Sequence, residues 1–228
     1  MTDPVISARE QLRALAGDAA FARPWRDIAF GADDRPAAVL MLFGVLDARR
    51  ADHDAAATAV SKDLDVLLLS RAPTLRSHAG QVAFPGGRID PGDDGPVDAA
   101  LREAVEETGL DPTGVEVLGT LPEVPLPYSL HRVTPVLGWW ARPTPVRVVD
   151  EGESSSVFRA PVADLLDPAN RYTTRIRRDG AEHRGPAWLL QIDGAERLVW
   201  GFTAILLDTL LTRLGWTEPW DRDRLIDL

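Results

Sequence analysis

Three glutamates near the middle of the chain constrain its fold more than any other feature. Glu103, Glu106 and Glu107 follow Arg102 and precede Gly109. In an α-helix, positions i, i+3 and i+4 are neighbours, so the three carboxylates converge and repel one another. A hard divalent cation with oxygen ligands turns that repulsion into attraction. The spacing therefore predicts a metal site, whereas an Arg102–Glu106 pair alone would be typical of a solvated helix face.

The residues around the glutamates predict a helix with defined ends. Pro96 suits the first helical turn, with Asp94 or Gly95 as the cap. Gly109 suits the left-handed position that follows the last turn, so we expect the helix to end near Thr108. The apolar positions expected to face away from the glutamates are Val97, Leu101, Ala104 and Val105.

Apolar runs on both sides of this helix predict a mixed fold. The expected strands are residues 37–45, 64–70, 81–84, 115–121, 133–140, 155–158, 172–177 and 187–192. Further helices are expected at 6–16, 162–166 and 202–214. Strands mixed with a few helices predict an α/β or α+β sandwich.

Composition bounds the class of protein. A chain of 228 residues with 45% apolar content can bury a full core as one domain with appendages. The formal net charge of −10 argues against general nucleic-acid binding, which relies on basic surface. The chain has no cysteine, which excludes disulfides and thiolate metal ligands. Its start lacks the order of a signal peptide and Asp208 and Arg213 interrupt the last apolar run, so we expect a cytoplasmic protein without membrane contact.

The segment from Arg102 to Leu110 resembles the second half of the signature box of the Nudix hydrolases. That box reads Gly-x5-Glu-x7-Arg-Glu-U-x-Glu-Glu-x-Gly-U, where U is apolar, and the segment matches every specified position. The first half departs from the pattern, because Gly87 lies fifteen residues before Arg102 instead of fourteen. Asp93 or Asp94 stands where the pattern has its first glutamate.

Residues before the box are similar to the coenzyme A diphosphatase branch of this family. The matching positions are Leu68-Leu69-Ser70-Arg71, Leu75-Arg76, His78, Gly80, Val82, Phe84-Pro85-Gly86-Gly87 and Asp90. After the box, the segments 133–136 and 153–158 also resemble that branch, with Ser154 in place of the usual apolar residue. The resemblance extends from about residue 37 to residue 214.

The resemblance implies a fold and a division of the chain. The fold would be a Nudix-type α/β/α sandwich with a mixed β-sheet and a loop-helix-loop catalytic box. We expect an N-terminal, helical extension at residues 1–35, the Nudix domain at 36–215 and a C-terminal tail at 216–228. The sequence leaves open whether two copies form a homodimer.

The resemblance also implies a site for Mg²⁺ or Mn²⁺. The ligands would be Glu103, Glu106 and Glu107, together with the carbonyl of Gly86 or Gly87. A glycine pair lets the backbone approach the metal without a Cβ in the way. Carboxylate and carbonyl oxygens are the ligands that hard cations prefer.

Two further roles follow from the same resemblance. Arg102 would hold the glutamates in place through charge-assisted hydrogen bonds. The general base that accepts a proton from water stays open among Glu103, Glu106 and the later Glu153.

Five residues before the box are candidates for substrate binding. Arg71 and Arg76 carry guanidinium groups that match phosphate oxygens, and His78 offers another donor. Gly80 and Phe84 belong to the same signature. For Arg71 taken alone, a surface position at the end of a strand is an equal interpretation.

Together these features imply a metal-dependent hydrolase of coenzyme A and its acyl or oxidised derivatives. The products would be 3′,5′-ADP and 4′-phosphopantetheine, and the partner a small-molecule substrate. The alternative is hydrolysis of another nucleoside diphosphate derivative, such as ADP-ribose or a dinucleotide. A non-catalytic ligand-sensing domain is disfavoured, because the three glutamates are all present and no basic recognition helix is visible.

Overall fold

The computed structural model describes residues 6–46, 50–74, 79–126, 129–178 and 180–228. The α-helices in these ranges are α1 (Ala8–Leu15), α2 (Pro96–Thr108), α3 (Val162–Leu166) and α4 (Gly201–Arg213). The strands are β1 (Arg35–Val45), β2 (Leu64–Arg71), β3 (Val82–Ala83), β4 (Gly86–Arg88), β5 (Val115–Thr120), β6 (Val124–Leu126), β7 (His131–Trp140), β8 (Ser154–Pro161), β9 (Arg171–Arg178), β10 (Ala181–Ile192), β11 (Ala195–Val199) and β12 (Leu225–Asp227).

A mixed sheet forms the centre of the molecule. Its main order is β3-β2-β1-β7-β5, with β4 paired to β1, β6 to β7 and β8 to β2. Strands β1 and β7 run parallel, whereas β1 and β2 run antiparallel. A second, four-stranded sheet has the order β11-β10-β9-β12.

Strand β1 separates two hydrophobic layers, because successive side chains of a strand point to opposite faces. Leu40 and Leu42 pack with the alanines of α2 in the smaller cluster. Met41 and Phe43 belong to the larger cluster, which includes side chains of α1, α4 and the second sheet. Both faces of the mixed sheet are therefore covered, which confirms the predicted sandwich and the α+β class.

Helix α2 has the predicted ends but a different buried face. Gly109 follows it in the left-handed conformation at φ 66°. Val105, one of the positions predicted to face away from the glutamates, is exposed, because the helix packs on the sheet through small side chains that permit a close approach. The buried residues of α2 are Ala99, Ala100, Ala104, Glu107 and Thr108. The three glutamates therefore occupy different environments, with Glu107 buried and Glu106 exposed.

The segments before β1 and after α4 pack on the same core. Leu12 and Phe21 are fully buried in the larger cluster. The indole nitrogen of Trp216 donates a hydrogen bond to Gln11 at 2.7 Å. Strand β12 adds to the edge of the second sheet by pairing with β9. The domain boundaries at residues 35 and 215 stay a prediction.

Four short strands lie outside the predicted runs, namely β4, β6, β11 and β12. Each has at most five residues, so its own sequence carries little periodicity, and a longer partner strand defines it. In the described part of the chain, no helix combines the length and the apolar character needed to cross a membrane.

Candidate metal and catalytic site

The candidate site lies where α2 packs beside β4. Strand β4 pairs with β1, with Gly86 opposite Val39 and Gly87 opposite Ala38. A Cβ on Gly86 would overlap the backbone of Ala38 and Val39, and a Cβ on Gly87 would overlap the carboxylate of Glu103. The glycine pair is therefore required by two close approaches, one to the neighbouring strand and one to a candidate ligand.

Glu107 is the most buried of the three glutamates, with 7% of its surface exposed. Its Oε2 accepts a hydrogen bond from the backbone N–H of Gly86 at 3.0 Å. Burial, with repulsion from Glu103 and Glu153, raises the pKa of Glu107 to about 7, although the Gly86 hydrogen bond and Arg71 act in the opposite direction. An anionic carboxylate in this position lacks a full counter-charge, which is the environment that a bound cation would complete.

Glu103 lies one turn earlier on the same helix and is partly buried. Burial raises the pKa of Glu103, and the charges of Glu106 and Asp90 add to that effect. The hydrogen bond from Arg102 opposes it. Two neighbouring carboxylates thus have raised pKa values, as expected for carboxylates held close together.

Arg102 connects the carboxylates of the box. Its Nε and Nη2 donate to the two oxygens of Asp93 at 2.9 and 3.0 Å, which is a bidentate fork. Its Nη1 donates to Glu103 at 3.0 Å and to Glu106 at 3.1 Å. The carbonyl of Arg88 accepts another hydrogen bond at 3.0 Å. These acceptors raise the pKa of Arg102 and fix its guanidinium between β4 and α2.

Asp93 resolves the variant first half of the box. The sequence leaves Asp93 and Asp94 as equal candidates for the missing glutamate. Asp93 pairs with Arg102, and this hydrogen bond lowers the pKa of Asp93. The backbone of Asp94 instead donates to Asp98 of α2. Asp93 is therefore a residue of the site that the pattern alone did not single out, and its signal was the departure from the usual glutamate.

The donor set suits a hard cation, although the side chains are not arranged around one. Among the described residues, no group of three histidines, aspartates or glutamates stands in a metal-binding arrangement. Arg102 engages Glu103 and Glu106, so these carboxylates face the guanidinium. Glu107 has a raised pKa, and the carboxylate of Glu103 lies close to the backbone of Gly87. Oxygen donors with excess negative charge fit Mg²⁺ or Mn²⁺, and the ligand assignment stays a prediction.

Arg71 and Glu153 carry charges that act on Glu107. Arg71 is the last residue of β2, and its charge lowers the pKa of Glu107. Its Nε is buried without a hydrogen-bond partner among the described residues. Glu153 is exposed in the loop before β8, and its charge raises the pKa of Glu107. Both predicted residues therefore act electrostatically on the same carboxylate.

The remaining predicted substrate residues fall into three situations. Gly80 adopts φ 69° in the turn before β3 and donates to the carbonyl of Arg71 at 3.2 Å. Phe84, predicted as a substrate residue, is only 4% exposed and packs in the larger core cluster, so its side chain supports the fold. Arg76 and His78 lie outside the described residues.

Two solved structures resemble this chain at modest similarity. A Nudix hydrolase from M. smegmatis, RenU, shares 25% identity over 56% of this chain and 70% of that chain, with a TM-score of 0.42. The NUDIX domain of Shewanella oneidensis NrtR, solved with ADP ribose, shares 22% identity over 65% of this chain and 86% of that chain, also with a TM-score of 0.42.

Sequence comparisons give stronger matches. The uncharacterized Nudix hydrolase NudL of Escherichia coli K12 is 41% identical over 150 residues, which cover 66% of this chain and 75% of that protein. NudL of Shigella flexneri is 41% identical over 152 residues, covering 67% and 76%. The family model of the NUDIX domain matches residues 52–176, more than half of the chain. On these matches, the chain belongs to the NUDIX domain family.

Proposed function

We propose that this protein hydrolyses the diphosphate bond of coenzyme A and its thioesters, with Mg²⁺ or Mn²⁺ as cofactor. The observation that carries the proposal is the buried Glu107, whose carboxylate accepts a hydrogen bond from the Gly86 backbone and has its pKa shifted by the charges of Arg71 and Glu153. Membership of the family supports hydrolysis of a diphosphate bond. The assignment of coenzyme A rests on the signature that precedes the box.

The proposed ligands are Glu103, Glu106 and Glu107, with the carbonyl of Gly87. A bound dication would lower the pKa of a coordinated water and offset charge on the phosphoryl oxygens. Glu107 and Glu103 supply negative charge from a partly buried position, where electrostatic interactions are stronger than in water. Glu106 is exposed, so leaving its hydrogen bond with Arg102 costs little.

Arg102 is proposed as a positioning residue. Its fork on Asp93 anchors the guanidinium, and the remaining donors orient Glu103 and Glu106. Glu103 and Glu106 are candidates for the general base, as is Glu153. We favour Glu153. Within the described residues, Arg102 donates hydrogen bonds to Glu103 and Glu106, whereas no hydrogen bond engages the side chain of Glu153.

The substrate phosphates are proposed to meet Arg71 from the end of β2. Its buried Nε has no partner among the described residues, and a guanidinium fork fits phosphate oxygens. The turn at Gly80 holds the carbonyl of Arg71 and so fixes the strand end beside Glu107. Arg76 and His78 are proposed as further phosphate contacts on the sequence signature alone.

The deciding experiment is a substrate panel with purified protein. Coenzyme A, dephospho-coenzyme A, ADP-ribose and a diadenosine polyphosphate are incubated with Mg²⁺ or Mn²⁺, and the products are separated by chromatography. We expect 3′,5′-ADP and 4′-phosphopantetheine from coenzyme A, no reaction in EDTA, and the highest kcat/KM for coenzyme A or a thioester. A higher kcat/KM for ADP-ribose or the dinucleotide would replace the substrate assignment, and no hydrolysis of any compound would overturn the enzyme proposal.

A further inference from the structure

A cavity of about 460 Å³ lies between the two sheets, beside the candidate site. Its walls come from the end of β2, the turn before β3 and the edge strand β11, with Trp200 before α4. Strands β3 and β11 are both terminal in their sheets, so the cavity opens between two sheet edges. This volume lies in the range of about 300–1,000 Å³ that is typical of small-molecule sites.

Arg197 of β11 brings a positive charge to the wall of this cavity. Its Nη1 donates to the hydroxyl of Ser70 at 3.3 Å, and its guanidinium carbon lies 5.1 Å from the ring centroid of Phe158. Its Nε is buried and has no hydrogen-bond partner among the described residues. Buried donors are almost always paired in proteins, so a guanidinium with an unpaired Nε is incompletely compensated beside this cavity.

Glu196, the acidic neighbour of Arg197, forms its hydrogen bond with a different residue. Glu196 also lines the cavity. The carboxylate of Glu196 accepts a hydrogen bond from Gln191 of β10 at 3.5 Å. Trp200 adds a partly exposed indole to the same wall, which supplies an apolar surface beside the charge. The combination suits an organic anion better than an inorganic cation.

Adjacent residues at the end of β2 line the cavity and act on the candidate catalytic site. Ser70 lines the cavity, and the next residue, Arg71, acts on the pKa of Glu107. Gly80 lines the cavity too, and its N–H donates to the carbonyl of Arg71 at 3.2 Å. A substrate that occupies both places would pass around the edge of the mixed sheet.

We propose that Arg197 is a specificity-determining residue that binds a phosphate monoester of the substrate in this cavity. The inference rests on the proposed function, under which this group is the 3′-phosphate of coenzyme A. The scissile diphosphate lies at the box on the α2 side, and the monoester lies at Arg197 on the side of the second sheet.

The test replaces Arg197 by methionine, which keeps a long side chain over Phe158 and removes the charge. For coenzyme A, we expect KM to rise by about tenfold or more, the loss typical of one charge-assisted hydrogen bond, with kcat nearly unchanged. For dephospho-coenzyme A, which lacks only the 3′-phosphate, both constants should stay within about twofold of the wild type. Arg197→Lys, which keeps the charge, should have a KM for coenzyme A between those of the wild type and Arg197→Met.

A matched control is Arg175→Met on β9 of the same sheet. Arg175 forms an ion pair with Asp227 and does not line the cavity. In this variant, kcat and KM should stay at the wild-type values for both substrates. Equal losses for the two substrates in Arg197→Met would indicate a structural role, and wild-type constants for both would indicate no role. Either result overturns the proposal.

Equilibrium binding separates this inference from the proposed function. Calorimetry with 3′,5′-ADP and 5′-AMP compares two nucleotides that differ in the 3′-phosphate and requires no turnover. We expect the wild type to prefer 3′,5′-ADP by about tenfold and Arg197→Met to lose that preference. This result would support the cavity assignment even for a protein that does not hydrolyse coenzyme A. A wild type without the preference, or a variant that retains it, contradicts the assignment.

Discussion

Two arginines on opposite sides of the mixed sheet show how differently this chain uses a buried charge. Arg102 is 28% exposed in its side chain and donates to Asp93, Glu103, Glu106 and the backbone. Arg171 of β9 is fully buried and pairs with Asp208 of α4. Its Nε and Nη1 have no partner in the described part of the chain.

Aromatic rings surround Arg171 where carboxylates surround Arg102. The guanidinium carbon of Arg171 lies 4.6 Å from the ring centroid of Trp188 and 4.5 Å from that of Trp220. Burial lowers the pKa of Arg171, whereas hydrogen bonds with carboxylates raise the pKa of Arg102. The cation–π contacts offset part of the desolvation of Arg171.

The difference separates charge that we propose to serve function from charge that stabilises the fold. Around Arg102, carboxylates outnumber the cation, which leaves excess negative charge for a metal ion. Around Arg171, one ion pair and two indoles join the second sheet, α4 and the C-terminal segment. Changes at the box should therefore alter activity with little effect on folding, and changes at Arg171 should do the reverse.

The largest effect is expected for Glu107→Gln and Glu106→Gln at the box. Each removes one negative charge with almost no change in shape, so we expect kcat to fall by about 10³-fold, as for loss of a major electrostatic contact. Circular dichroism should show an unchanged fold. Glu116→Gln is the matched control, since Glu116 pairs with Arg9 and Arg13 away from the box. Wild-type activity in both box variants would contradict the ligand assignment.

The next largest effect is expected for the stability of the protein when Arg171, on the other side of the mixed sheet from the box, is replaced. Arg171→Ala leaves Asp208 without its partner and opens a cavity between Trp188 and Trp220, so unfolding free energy should fall by about 3 kcal/mol. Urea denaturation measures this change. Arg175→Ala on the same strand removes an exposed pair and should cost about 0–1 kcal/mol. A change in KM without a loss of stability in Arg171→Ala would break the proposed division of roles.

Gly87→Ala tests whether a small change of shape at the box also affects activity. The added methyl group would overlap the carboxylate of Glu103. We expect kcat/KM to fall by about 10–100-fold, with a higher metal concentration needed for half-maximal activity, because a ligand is displaced and not removed. Gly92→Ala is the control, since nothing lies within 4 Å of a Cβ there. Equal activities of the two variants would contradict the close approach at Gly87.

The smallest effect is a pH dependence of stability without metal. Folding raises the pKa of Glu107 from its ordinary value of 4.5 to about 7, so the folded protein binds more protons than the unfolded chain between these values. The stabilisation is present below pH 4.5 and is lost as pH rises through about 7. In EDTA, the free energy of unfolding of the wild type, measured relative to that of Glu107→Gln, should fall by about 1–3 kcal/mol between pH 4.5 and 8.

That comparison of two proteins is needed because another group titrates in the same range. Burial and the charges of Arg35 and Arg88 lower the pKa of His131, which makes stability rise with pH near its ordinary value. His131 is common to both proteins, so its contribution cancels in the difference. Parallel stability curves would mean that Glu107 is not the titrating group. Saturating Mg²⁺ should remove or reverse the difference in pH dependence between the wild type and Glu107→Gln.

The elements that the sequence predicts well are those with a long, local pattern. The strands β1, β2 and β7 have extended apolar runs, and α2 has a proline at its start and a glycine at its end. In contrast, β12 has three residues and forms only because β9 provides an edge. A pattern of that length carries almost no periodicity, so only the partner strand defines it.

The candidate site divides in the same way. The box motif identifies Arg102 and the glutamates by spacing alone, because helical geometry is local. It does not distinguish Asp93 from Asp94, since the fork to Arg102 depends on how the loop between β4 and α2 closes. The signature before the box predicts Phe84 as a substrate residue, although its side chain is buried in the larger core cluster.

By itself, the sequence determined the chemistry available to this protein: three clustered carboxylates on one helix, an arginine beside them, a glycine pair before them and the NUDIX family. Tertiary structure decided which carboxylate is buried, which aspartate holds the arginine, and that a cavity with Arg197 opens beside β2. The physical reason is the range of the interactions. Helix periodicity and turn chemistry act over a few residues, whereas burial and pKa depend on contacts between segments far apart in the chain.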